Sequence, residues 1–127
     1  MKGEFKLKTK AILSFLLLII LLIILQNRQV FAANITVNTT SDELNSDGDC
    51  SLREAIQSAN TNTAIDACTS GSGTDAITVP AGTYTLSIPG AGESLNATGD
   101  LDITSNLTIN GAGAASTIID GGGIDRV

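Results

Sequence analysis

Residues Cys50 to Asn60, Cys-Ser-Leu-Arg-Glu-Ala-Ile-Gln-Ser-Ala-Asn, carry the single helical pattern downstream of the leader. Leu52, Ala55, Ile56 and Ala59 fall at i, i+3, i+4 and i+7, which makes one apolar stripe. Ser51 followed by Glu54 has capping-box spacing: the serine oxygen accepts an early backbone N–H and the glutamate reaches back to the serine N–H. Asn60 reads as the stop. So short a helix is unstable alone in water, so its stripe needs apolar surface to cover.

The flanking segments read as that surface. Upstream, Asn34 to Thr40 alternates, with Ile35 and Val37 on one face, and predicts a strand. Ser41 to Asp49 is polar, with a turn signal at Asp47-Gly48. Downstream, Thr61 to Asp75 is a loop that carries Cys68. From Ala76 short β runs follow, separated by glycine: Ile77–Val79 and Tyr84–Leu86, which alternate, then Leu101–Ile103, Leu107–Ile109, Thr117–Ile119 and a start at Ile124. Ile77 to Leu101 and Val79 to Ile103 are both 24 residues, and Leu101 to Ile124 is 23. A period in the low twenties, with several short strands in each, predicts solenoid coils whose inward Ile, Val and Leu stack about 4.8 Å apart. The expected fold is therefore mainly β: the start of a right-handed parallel β-helix with one short N-terminal capping α-helix. In that fold the first coil exposes an apolar end, and the Ser51–Asn60 helix, through Leu52, Ala55, Ile56 and Ala59, is its expected cap. Asp125-Arg126-Val127 falls where another strand should begin, so the chain reads as the N-terminal piece of a longer polypeptide or a truncated frame.

Cys-Ser-Leu-Arg-Glu-Ala-Ile at 50–56, with Ala59-Asn60 and Cys68 after it, resembles the CSLREA-type N-terminal module. That module precedes right-handed parallel β-helix repeats in large secreted and surface bacterial proteins. Some of these resemble chlamydial polymorphic outer-membrane proteins and others pectate- or pectin-lyase-like solenoids. The resemblance covers roughly Asn34 to Val127 and implies no particular reaction.

The first 32 residues read as a leader. Lys2, Lys6, Lys8 and Lys10 precede an apolar run from Ala11 to Leu25 broken only by Ser14, and Val30-Phe31-Ala32 places cleavage after Ala32. The alternative is an uncleaved membrane anchor, although at ~1.5 Å per residue the run spans about 22 Å against a core of about 30 Å. The expected division is 1–32 signal peptide, 33–75 N-terminal cap with the helix at 51–60, and 76–127 first coils. Without the leader, Arg53 and Arg126 stand against twelve acids, a formal charge of −10 with no lysine or histidine. Such a surface repels nucleic acid and anionic lipid.

Cys50 and Cys68 are the only cysteines, and in an exported chain an even count predicts a disulfide. Zinc lacks further ligands, and a catalytic thiol lacks a histidine base. Arg53 lies near Asp42, Glu43, Asp47 and Asp49, as a ligand clamp or as an ion pair that holds the 42–49 loop on the helix. Asn45, Asp47 and Asp49 alternate like a calcium loop, but the sixth and twelfth positions are Cys50 and Ile56 where an EF-hand needs Gly and Glu. A different Ca²⁺ site stays open as the one cofactor considered. Asp100 and Asp102 share a predicted strand face, as a glycosidase pair would require. Asn34, Asn38, Asn96 and Asn106 each begin an N-x-Thr sequon.

The function expected is that of a cap and first coils of a secreted or cell-surface β-helix protein, structural or adhesive, with no catalytic site in this stretch. The alternative is a carbohydrate-active, polysaccharide-lyase-like enzyme whose site lies past Val127. The expected partners are the chain's own downstream repeats and carbohydrate or a host or neighbouring cell surface. Nucleic acid is excluded, and a membrane enters only if the leader stays on.

Overall fold

The computed structural model describes residues 2–25 and 31–127. Among these, the elements in chain order are α1 Lys2–Leu25, β1 Asn34–Thr36, α2 Leu52–Thr61, β2 Asp75–Val79, β3 Gly82–Thr85, β4 Leu107–Gly111 and β5 Thr117–Asp120. β1, β2 and β4 form one sheet in that order, and β3 and β5 a second, all pairs parallel.

The period-2 pattern works where it was strongest. In β2, Asp75, Ile77 and Val79 are buried while Ala76 and Thr78 are half-buried. Register stacks Ile35 on Ile77 and Ile77 on Ile109. The first two are completely buried, and Ile109, at the free edge, is 36% exposed. The core joins Ile35, Val37, Ile77, Val79 and Tyr84 to Cys50, Leu52, Ala55, Ile56, Ala59 and Cys68, with Leu101, Leu107 and Ile119 packed against it. It draws on both the 33–75 and the 76–127 segments.

The expected β-helix does not form. Five short strands in two small parallel sheets, neither closed, together with the helices make a mixed α/β fold without a solenoid. The assumed period is where the expectation fails. The registers Ile35–Ile77, Ile77–Ile109 and Thr83–Ile118 give three different spacings, none of them the interval between Ile77 and Leu101. Leu101–Ile103 is not a strand. Its backbone is taken by α2 instead: Asn60 Nδ2 donates to the Asp102 carbonyl at 2.7 Å, and Asn60 Oδ1 accepts from Thr104 N at 2.9 Å. Ile124 also lies outside any strand, after a glycine turn. Gly122 there has φ +62° and approaches so closely that a Cβ would lie 2.2 Å from the Leu86 carbonyl oxygen.

The first strand is shorter than expected. Val37 N still donates to Thr78 O, but Asn38 N turns to Cys50 O, both at 3.0 Å, so the chain leaves the sheet for the α2 entry. At the amino end, α1 exposes its apolar side chains from Ile12 to Leu21. Among the described residues no helix is long and apolar enough to cross a membrane. The expected cleavage motif includes Val30, which lies outside the described residues.

Candidate functional site

The polar chemistry of the molecule gathers around α2. Ser51, in extended conformation (φ −73°, ψ 167°), is the N-cap. Its Oγ accepts from Glu54 N at 3.1 Å, and Glu54 Oε2 accepts from Ser51 N at 3.0 Å, which closes the capping box. The sequence showed that much. It did not show that the box also holds the preceding loop: Glu54 Oε1 accepts from Asn45 N at 3.0 Å and Ser51 Oγ donates to Glu43 O at 2.9 Å. The helix runs past Asn60 and is closed by Asn62, whose left-handed φ of 51° lets its N–H reach Ser58 O.

Leu52, Ala55, Ile56 and Ala59 are all buried, as a stripe against the sheets requires. Arg53, Glu54 and Ser58 are buried as well, so α2 is enclosed rather than laid over an open end. A short helix with charged residues on its inner side can be enclosed only if those charges find partners. Arg53 does. Its guanidinium, with no exposed surface, binds Asp42 through Nε–Oδ1 at 2.6 Å and Nη2–Oδ2 at 3.1 Å. The remaining donors reach the Gly99 and Asp100 carbonyls at 2.9 and 3.2 Å. Asp42 Oδ2 also accepts from Ser87 N at 2.7 Å and Ile88 N at 3.1 Å. Burial alone would raise the Asp42 carboxyl, but the Arg53 hydrogen bond and the two amides outweigh it and hold it below its ordinary value.

This pair ties the 42 and 87–88 segments to the helix, and the 99–100 backbone joins them. Asn96, completely buried with φ +59°, adds a further tie through Nδ2 to Arg53 O at 2.8 Å. The asparagine of its sequon is therefore enclosed, while Asn34, Asn38 and Asn106 are exposed. Sequence reading missed Asn60 and Asn96 as fold-organising residues. Asn60 offered only an amide at the end of a helical pattern, and Asn96, in the long stretch between β3 and β4, offered no signal.

Cys50 and Cys68 are joined with their Cα atoms 4.9 Å apart, fastening the start of α2 to the following loop. That loop packs hard on the helix. A Cβ at Gly71 would meet Ser58 O at 2.6 Å and Ala59 Cα at 2.8 Å.

The acids of the 43–49 loop are brought together in two groups. Carboxylate oxygens of Glu43, Asp47 and Asp49 lie within 4.8 Å of one another, as do those of Asp49, Glu54 and Asp66. Much of this oxygen is already engaged. Asp66 Oδ2 accepts from the amides of Asp47, Gly48 and Asp49 at 3.1, 2.7 and 3.2 Å. Asn45 Nδ2 donates to Glu43 and Asp47 at 2.9 and 3.2 Å, so Asn45 turns its amide nitrogen, rather than a ligand oxygen, toward the Glu43 and Asp47 carboxylates. Lost hydration and the charge of Asp47 raise the Glu43 and Asp49 carboxyls.

Asp100 and Asp102, expected on one strand face, lie on a loop with separate duties. Asp100 pairs with exposed Arg126 at 3.0 Å, and Asp102 Oδ2 accepts from Asn96 N at 3.2 Å. Elsewhere, the free edges of β4 and β5 border an open apolar groove of about 360 Å³ lined by Ile109, Gly111, Gly113, Ala114, Thr117 and Ile119. No protein-family model matches this chain, and no curated protein or solved structure matches it.

Proposed function

We propose that this chain is a non-catalytic structural module of a secreted or surface-displayed protein, with an adhesive role. The observation that carries the reading is how the buried Arg53 is used. An arginine poised for a ligand keeps donors free toward a cleft, whereas this guanidinium is enclosed by Asp42 and two backbone carbonyls. Glu54, the one completely buried carboxylate on α2, is likewise engaged with two backbone amides. A disulfide is favoured in an oxidising compartment and supports export, as does the leader pattern. Against carbohydrate or a neighbouring cell, an acidic surface of this kind contributes through neutral hydrogen-bonding side chains rather than through basic clamps.

Protease treatment of intact producing cells, together with assay of the purified oxidised protein on polysaccharides, tests the proposal. The expected result is an outside location, saturable binding to cells or glycan and no new reducing or unsaturated sugar ends. Release of such ends, abolished by a single carboxylate substitution, would overturn it.

A further inference from the structure

We draw no further inference here: the strongest candidate, the apolar groove between the free edges of β4 and β5 lined by Ile109, Thr117 and Ile119, carries nothing because nothing in the structure shows what covers it.

Discussion

Replacing Asp42 with alanine should be among the most damaging single changes in this molecule. It removes two oxygens that together accept four hydrogen bonds and leaves the Arg53 charge buried against only the Gly99 and Asp100 carbonyls. Removing one partner of a buried pair costs about 3–5 kcal/mol, chiefly through the charge left behind. The Ser87 and Ile88 amides add less, because water reaches Ser87. Arg53→Met removes the charge while keeping an apolar stem, so it should cost less than Asp42→Ala. The double variant should cost less than the sum of the singles, with a coupling on the order of 2 kcal/mol. Urea unfolding of the oxidised protein, followed by circular dichroism, reads this as a fall of about 2 M in midpoint for Asp42→Ala.

The pair also gives a pH signature. The Asp42 carboxyl lies below its unfolded value of about 3.9. Its contribution is therefore complete above that value and is lost as pH falls through the folded one. Asp42→Asn should abolish this acid limb. The raised Glu43 and Asp49 act oppositely: their contribution is present at low pH and is lost as pH rises through their folded values. An Asp42→Ala cost under about 1 kcal/mol, or a strictly additive double variant, would refute the argument that Arg53 depends on Asp42.

Three further outcomes are expected. Reduction of Cys50–Cys68, whose positions are 18 apart in sequence, should lower stability by about 3 kcal/mol in the chain-entropy account, read as a shifted urea midpoint with and without reductant. Ile56→Asp places a carboxylate at a completely buried position and should cost several kcal/mol, roughly in the range for disrupted cores, in the same assay; Gln57→Asp forfeits only a 3.3 Å contact from Asn96 and should do little. Gly71→Ala drives a methyl into the Ser58 carbonyl and the backbone of Ala59 and should cost about 1–3 kcal/mol, measured as a lowered thermal midpoint.

Local structure was legible where one physical rule acts alone. The capping box and apolar stripe located α2 to within a residue at each end, alternation located β2 and β4, and the short β-prone run Thr117–Ile119 located β5. The global fold was not legible, because a repeat inferred from glycine-separated runs assumes that every run is a strand. Leu101–Ile103 has strand-like alternation, yet Asn60 and Arg53 take the backbone of its neighbourhood from the side of α2. Removing that run removes the regular period. Arg53 could be read only as an ion pair with nearby acids. Its bonds to residues 99 and 100 join positions far apart in sequence, which spacing cannot show. Asn96 was noticed as a sequon, whereas its left-handed backbone and buried amide give it a packing role.

The central claim is that this is an exported module held together around a stapled α2. Mass spectrometry of the alkylated, non-reduced protein, recovered from the medium and from the cell surface of its producer, tests it most directly. The account predicts an amino terminus at Ala33 and a Cys50–Cys68 cross-linked peptide with no alkylated cysteine. Protein confined to the cell interior, intact from Met1 and alkylated at both cysteines, would contradict it.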